Sequence, residues 1–91
     1  MGNIYFIRNN DKVKIGFSKN VKRRKSTLQT GNGEKLIIEY IIENVNMTFE
    51  KHVHSVCSGY LIQNEWFRDD VLSHLLAHPW FKENMKIYSS S

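Results

Sequence analysis

The stretch "NIYFIRNNDKVKIGFS", Asn3–Ser18, decides the fold, because it reads as two short strands joined by a turn. β-Branched and aromatic residues fill its first part, Asn3–Arg8, and apolar residues alternate with polar ones from Val13 to Ser18. The Asn-Asn-Asp segment between the two parts tolerates turn conformations with positive φ. A connection this short predicts an antiparallel β-hairpin.

The register of this hairpin depends on the length of its loop. A loop of two or four residues pairs Tyr5 with Gly16 and Ile7 with Lys14, so that these residues share one face of the sheet. Gly16 would then leave space opposite Tyr5, and the Lys14 ammonium would lower the pKa of the phenol. A loop of three residues breaks this parity. In the alternative reading, Tyr5 is a half-buried strand tyrosine and Lys14 a solvated lysine.

The rest of the chain continues with alternating helical and strand patterns. The predicted elements are a helix over residues 19–30, a strand over residues 35–42, a helix capped by Asn46, a helix near residues 69–78 and a short helix starting at Pro79. Together with the hairpin they predict one α+β domain over residues 1–88, with a small three-stranded, mainly antiparallel sheet flanked by helices. We expect residues 89–91 to form a disordered tail.

Positive charge is concentrated in the first part of the sequence. Residues 1–35 contain nine Lys and Arg against two acids, whereas residues 36–91 contain four against seven. A basic half of this kind indicates a polyanionic partner such as a nucleic acid. The alternative is a solvated basic face that serves solubility.

Cysteine content and hydropathy exclude several classes of protein. Cys57 is the one cysteine, so an intrachain disulfide and a cysteine-based zinc site are both excluded. Apolar runs stay far below the roughly 20 residues of a membrane-spanning helix. The N-terminus does not have the pattern of a signal peptide. We therefore expect a cytoplasmic protein without membrane contact.

Arg24 occupies an unusual position on the first predicted helix. It lies between Val21 and Leu28 on the face that should pack against the sheet. A cation is rarely placed on an apolar stripe without a partner or a role. The neighbouring basic side chains point elsewhere and are interpreted as phosphate-contacting or merely solvated charges: Lys22, Arg23 and Lys25.

Glu50 lies in the first turn of the second predicted helix, beside the stripe that carries Val53 and Cys57, and His54 follows one turn later. Glu50 is a candidate site residue, although a first-turn acid is also favoured by the helix dipole. For His54 an ordinary structural or surface role is the favoured interpretation.

The ordered set of "NIYF", "KIG", Arg24 and Glu50 resembles the GIY-YIG endonuclease superfamily. The pattern is most similar to a small single-domain branch common in phages and bacteria, in which the second motif reads KIG and E-x-x-x-H and G-E-W-F segments follow. The resemblance covers about residues 3–68, and its specificity comes from the order and spacing of the pieces, since each piece alone is weak.

This resemblance implies a metal-dependent endonuclease that hydrolyses DNA phosphodiester bonds. Tyr5 then corresponds to the general base, Arg24 to the residue that stabilises the transition state, and Glu50 to the ligand of one Mg²⁺ or Mn²⁺ ion. Lys14 stands where the second motif usually has tyrosine, and would position the nucleophile or lower the pKa of Tyr5.

The resemblance gives several further residues more than one interpretation. Asn64 corresponds either to a structural asparagine of the superfamily or to the glycine of G-E-W-F. His54 would join the metal site if a softer ion than Mg²⁺ is used. Trp66 is predicted to anchor the core, with a lid formed by Glu65 and Trp66 as the alternative. We expect no second acid near Glu50, since the other candidates are Glu39, Glu43, Asp69 and Asp70, which lie on other elements.

The expected nucleic-acid partner and the alternative function follow from the same resemblance. DNA is the expected substrate, and RNA stays open. We expect weak sequence specificity, recognition of a DNA structure, or targeting by a partner protein or a homodimer. The alternative is a nucleic-acid-binding module that keeps the fold with weak catalysis or none.

Overall fold

The computed structural model describes residues 1–88, which form a sheet and four α-helices. The strands are β1 (Gly2–Asn9), β2 (Lys12–Ser18), β3 (Ile37–Val45), β4 (Leu61–Gln63), β5 (Trp66–Arg68) and β6 (Lys86–Ile87). The helices are α1 (Val21–Thr30), α2 (Phe49–Val56), α3 (Val71–Leu76) and α4 (Pro79–Asn84), with one 3₁₀ turn at Ser58–Tyr60. The predicted disordered tail at residues 89–91 lies outside the described residues.

The described residues form one open antiparallel sheet with the strand order β4-β5-β2-β1-β3-β6. The α+β class is therefore confirmed, and the three-stranded sheet is wrong. The three additional strands contain only two or three residues each. Segments this short do not show a recognisable alternation of apolar and polar residues, so their pairing becomes visible only in the folded chain.

The hairpin has the register that a two-residue loop predicts. Asn10 and Asp11 form the turn, and Asn10 adopts a left-handed backbone conformation with φ of 56°. Tyr5 pairs with Gly16, and Ile7 pairs with Lys14. This part of the sequence prediction is confirmed.

Helices cover both faces of the sheet, because alternate residues of β1 point to opposite sides. Tyr5 and Ile7 pack with Val21 of α1 in a smaller cluster. The larger cluster forms on the other face and includes Ile4 and Phe6 of β1 with side chains of α2, α3 and α4: Val53, Val71, Leu72, Leu75 and Phe81. The two strands that carry Tyr5 and Gly16 are thus held between two packed layers.

Two local predictions are corrected by the structure. Phe67, 1% exposed, fills the core where Trp66 was predicted, because Trp66 is its neighbour on β5 and points to the opposite face. The second helix begins at Phe49 with Thr48 in the capping position, so the predicted cap at Asn46 is wrong. Asn46 instead accepts a hydrogen bond at its backbone carbonyl from the Phe49 N–H, at 3.0 Å.

Arg8 connects distant parts of the fold. Its Nε donates to Glu39 of β3 at 2.6 Å, and its Nη1 donates to Asp69, just before α3, at 3.0 Å. Among residues 1–88, no helix is both long and apolar enough to cross a membrane.

Candidate active site

Tyr5 lies at the centre of the candidate site, with only 1% of its surface exposed. Its phenol covers Gly16 on the neighbouring strand so closely that a Cβ added to Gly16 would overlap the Tyr5 hydroxyl. The same added Cβ would lie 3.0 Å from Oε1 of Glu65. Glycine is required here by the close approach, because the space that a Cβ would fill lies next to both the phenol and the carboxylate.

Arg24 approaches the phenol from α1. Its Nε donates to the Tyr5 hydroxyl oxygen at 3.5 Å, a long hydrogen bond. Arg24 thus reaches the sheet and contacts Tyr5, as its place on the sheet-facing stripe predicts. The residue as a whole is nevertheless exposed and not buried. An arginine that touches Tyr5 and still faces solvent is accessible to a substrate.

The backbone of Ile15 on β2 contacts two further residues of the site, the backbone of Glu65 and the side chain of His54. The ladder between β2 and β5 ends at the pair Lys14–Trp66. Beyond it, the Ile15 N–H donates to the backbone oxygen of Glu65 at 3.0 Å. The Ile15 carbonyl lies 2.8 Å from Nε2 of His54. Because a carbonyl oxygen only accepts, Nε2 must carry the proton, and the neutral ring then has its lone pair on Nδ1.

Glu50, His54 and Glu65 converge next to this anchor. Their potential ligand atoms all lie within 4.8 Å of one another. Glu50 and His54 are four residues apart on α2 and therefore share a helix face. Glu65 comes from the turn between β4 and β5. Carboxylate and imidazole donors brought together in this way fit a divalent cation.

The expectation that no second acid lies near Glu50 is therefore wrong. Glu65 was missed because it is distant in sequence and because β4 and β5 are too short to be predicted as a hairpin. The one sequence signal for it is the resemblance of the "NEWF" segment to G-E-W-F. The remaining acids that were considered are engaged elsewhere: Glu39 and Asp69 with Arg8, Glu43 with Lys86, and Asp70 with Arg68.

Asn64 has a backbone role in the structure. Its φ of 54° places it in the left-handed region, where Gly and Asn are the residues most readily accommodated. The residue is exposed and immediately precedes Glu65. This gives a physical reason for asparagine at the position where the resembling branch has glycine.

The electrostatic environment raises the pKa of Tyr5 above its ordinary value. Burial of the phenol is the main cause, and the negative charges of Glu65 and Glu50 act in the same direction. The hydrogen bond and positive charge of Arg24 oppose the shift. The predicted lowering of this pKa by Lys14 is wrong, because the cation in contact with the phenol is Arg24.

Lys14 instead faces Trp66, its partner across the β2–β5 ladder. The Lys14 Nζ lies 5.4 Å from the centre of the indole ring, and the Lys12 Nζ lies 5.0 Å from it. Both distances are within the range of cation–π attraction. Trp66 and two lysines thus form a basic aromatic surface on the face that carries Tyr5, which the sequence analysis did not predict.

The three predicted phosphate contacts do not form one cluster. Lys22 and Arg23 are exposed on α1, whereas Lys25 is half-buried. Arg23 shares a shallow groove with Arg24, and Lys25 lines a separate groove with Gln29. Of these three residues, Arg23 is therefore the one that lines the same groove as Arg24.

A comparison with known protein families finds one match that covers nearly the whole chain. The family model described as the T5orf172 domain matches residues 2–86. The matched range includes every candidate site residue described above. No curated protein and no solved structure matches the chain.

Proposed function

Since the chain belongs to the T5orf172 domain family, we propose that it is a metal-dependent endonuclease of the GIY-YIG type that hydrolyses DNA. Membership of this family supports a nuclease-like or DNA-binding role. The arrangement of side chains around Tyr5 supports hydrolysis in addition to binding.

The observation that carries this proposal is the position of the Tyr5 phenol. It lies over Gly16, in contact with the Arg24 guanidinium and within the electrostatic influence of Glu50 and Glu65. Phosphodiester hydrolysis needs a proton acceptor for water, a positive charge near the phosphate and a means of neutralising the leaving oxygen. A phenol, an arginine and a carboxylate ligand provide these three elements within one site.

Each residue has a separate task in this proposal. Tyr5 accepts a proton from the attacking water, and the adjacent Arg24 favours the phenolate form that this task requires. Arg24 also stabilises negative charge on the phosphate as it develops. Glu50 would hold Mg²⁺ or Mn²⁺, and the bound ion would supply Lewis-acid stabilisation of negative charge on the phosphate and the leaving oxygen.

The basic surfaces are proposed to hold the nucleic acid. Lys22, Arg23 and Lys25 would contact phosphates without reading the sequence. Lys14 is proposed as a substrate-positioning cation, because its ammonium lies over Trp66 on the face that carries Tyr5. RNA as substrate, and targeting by a homodimer or a partner protein, stay proposals beside DNA.

The test is cleavage of supercoiled, branched and single-stranded DNA, and of RNA, by protein stripped of metal and then supplied with Mg²⁺ or Mn²⁺. We expect cleavage only with added metal. Glu50→Gln should abolish cleavage and leave the thermal melt nearly unchanged, because a first-turn acid contributes only about 0.3–1 kcal/mol to helix stability. Glu83→Gln removes an exposed acid on α4 and is the matched control.

Arg24 and Arg23 form a second matched pair for the same assay. Arg24→Ala should lose turnover even when all DNA is bound, because Arg24 contacts the phenol. Arg23→Ala should weaken binding and keep turnover at saturation. Wild-type protein that binds DNA in a salt-sensitive way and never cleaves it would contradict the nuclease proposal and favour a binding module of the same fold.

A further inference from the structure

We infer that Glu50, His54 and Glu65 together bind one divalent transition-metal ion, with His54 acting through Nδ1. This goes beyond a single carboxylate ligand for Mg²⁺, because it assigns two more ligands and a different preferred metal. The inference rests on the proposed function for its catalytic purpose, whereas the binding itself can be measured without nucleic acid.

The convergence of three donors is the first observation. Their ligand atoms lie within 4.8 Å of one another, although they come from two separate parts of the chain. Glu50 and His54 are brought together by the α-helical repeat of α2, and Glu65 is brought to them by the turn before β5. All three side chains are half-buried, so the site is shielded without being closed to an ion.

The second observation is that the two acids lack a partner within the described residues. Among residues 1–88, the Glu50 and Glu65 side chains make neither an ion pair nor a hydrogen bond. By contrast, the acids on β3 and before α3 are paired with Arg8, Lys86 or Arg68. Two half-buried carboxylates this close repel each other, and a bound cation would remove the repulsion.

The orientation of His54 is the third observation. Its Nε2–H donates to the Ile15 carbonyl at 2.8 Å, and its ring packs against Phe67 with 5.3 Å between ring centres. In metal-binding histidines the N–H of the second ring nitrogen typically donates a hydrogen bond to a carbonyl or carboxylate in this way. This hydrogen bond fixes the tautomer and the ring orientation. In the neutral imidazole this contact leaves the lone pair on Nδ1, so the ring is oriented to bind a metal through that atom.

The donor set determines which metals should bind. Mg²⁺ prefers oxygen ligands and usually keeps several waters, whereas imidazole nitrogen suits later divalent metals. Two carboxylates and one imidazole leave coordination positions for water and substrate, as in catalytic zinc sites with three protein ligands. We therefore expect Mn²⁺ and Zn²⁺ to bind more tightly than Mg²⁺.

The experiment titrates Mn²⁺ into the metal-free full chain and follows free Mn²⁺ by electron paramagnetic resonance, with Mg²⁺ and Zn²⁺ as competitors. We expect one site, with Mn²⁺ bound about tenfold or more tightly than Mg²⁺. Pulsed resonance spectra of the bound Mn²⁺ should show coupling to a histidine nitrogen. This last measurement is made on the wild type and does not depend on the folding of any variant.

Substitutions then identify the ligands. His54→Gln keeps a donor for the Ile15 carbonyl and Glu65→Gln keeps the side-chain shape, and each should weaken Mn²⁺ binding about tenfold or more. His54→Gln should also remove the nitrogen coupling. The matched controls are His52→Gln, an exposed histidine on the same helix, and Glu83→Gln, an exposed acid on α4; both should bind Mn²⁺ like the wild type.

The inference is overturned if wild-type protein shows no nitrogen coupling, or if His54→Gln and Glu65→Gln bind Mn²⁺ as tightly as the two controls. These outcomes are separate from the failure of the nuclease proposal. Protein that binds Mn²⁺ through all three residues and cleaves no nucleic acid supports the metal site and contradicts the proposed function. Metal-dependent cleavage by a protein whose His54→Gln and Glu65→Gln variants bind Mn²⁺ like the controls supports the proposed function and contradicts the metal site.

Discussion

At the scale of one residue, Gly16 provides the space on β2 that the Tyr5 phenol occupies. Any larger residue there would collide with the Tyr5 hydroxyl. The pairing of Tyr5 with Gly16 therefore places the buried phenol directly over the glycine backbone, where Glu65 also reaches. The same burial raises the pKa of Tyr5, so the contact with Arg24 is needed if the phenol is to give up its proton.

Tyr5→Phe tests the general base with the smallest change available. The ring and its packing stay, and only the hydroxyl that contacts Arg24 is lost. We expect cleavage to fall by about 10²–10⁴-fold with DNA binding nearly intact. Single-turnover cleavage and a binding titration measure the two effects separately. Tyr40→Phe, on β3, is the control, and a Tyr5→Phe rate within a few-fold of the wild type would rule out this role.

Cys57 offers a test of the core that is independent of function. The side chain is fully buried, and burial raises its pKa to about 12. Because the thiolate is the reactive form, native protein at pH 8 should react very slowly with a thiol reagent and unfolded protein quickly. Labelling with and without urea measures this difference. Rapid labelling of the folded chain would contradict the buried position.

The same pKa shift predicts how stability depends on pH. In the unfolded chain the thiol ionises near its ordinary value of about 8.5, whereas the folded chain keeps the proton up to about 12. As the pH rises above about 8.5, the unfolded state releases a proton that the folded state retains, so the free energy of unfolding falls. Urea melts between pH 7 and 9.5 should show this fall in the wild type and a smaller one in Cys57→Ala. Parallel slopes for both proteins would contradict the assignment.

At the scale of elements, the short β4–β5 hairpin places Glu65. Its two strands have three residues each, and its turn contains Asn64 in a left-handed conformation. The backbone oxygen of Glu65 is fixed by the Ile15 N–H. A hairpin too short to be recognised in the sequence thus brings an acid next to Glu50 and His54 of α2.

Substitution of Asn64 tests this turn. Asn64→Gly should keep both fold and activity, because glycine adopts positive φ without steric cost. Asn64→Ala should cost about 1–2 kcal/mol of stability, the usual penalty for a side chain in the left-handed region. It should also weaken Mn²⁺ binding by shifting Glu65. Urea melts and metal titration of both variants provide the measurements. Equal stability and equal Mn²⁺ binding of the two variants would contradict the claim that the left-handed conformation of residue 64 positions Glu65.

At the scale of the whole molecule, charge is distributed unevenly along the chain. The first 35 residues are strongly basic, and most acids lie after them. Several of those acids form ion pairs within the fold, including the pairs of Arg8 with Glu39 and Asp69. Three of the four basic residues of α1, Lys22, Arg23 and Arg24, are exposed instead and are suited to attract a polyanion.

Replacing Lys22, Arg23 and Lys25 together with glutamine tests this surface. Nucleic-acid affinity should fall, and the slope of log affinity against log salt should flatten by up to roughly three phosphate contacts. Cleavage at saturating enzyme should survive. The control replaces Lys51, Lys82 and Lys86, which removes the same charge from the acidic part of the chain. Equal losses of affinity in both triple variants would indicate attraction by net charge alone.

The sequence by itself determined the parts of this protein that depend on neighbouring residues. For a loop of two or four residues, the alternation of side chains around the Asn-Asn-Asp turn predicted that Tyr5 pairs with Gly16, and the observed two-residue turn has this register. Helical spacing placed Glu50 and His54 one turn apart on α2. These features follow from the strand period, the helix period and turn chemistry, which act within a few residues along the chain.

Only the tertiary structure decided which of these groups meet. Three features depend on the pairing of β5 with β2. They are the approach of Glu65 to Glu50 and His54, the cation–π contact of Lys14 with Trp66, and the burial of Phe67 in place of Trp66. That pairing joins residues about fifty positions apart through a three-residue strand. A segment so short carries no periodic pattern, and its position is set by the edge of β2 and by the core that Phe67 enters, which exist only once the chain has folded.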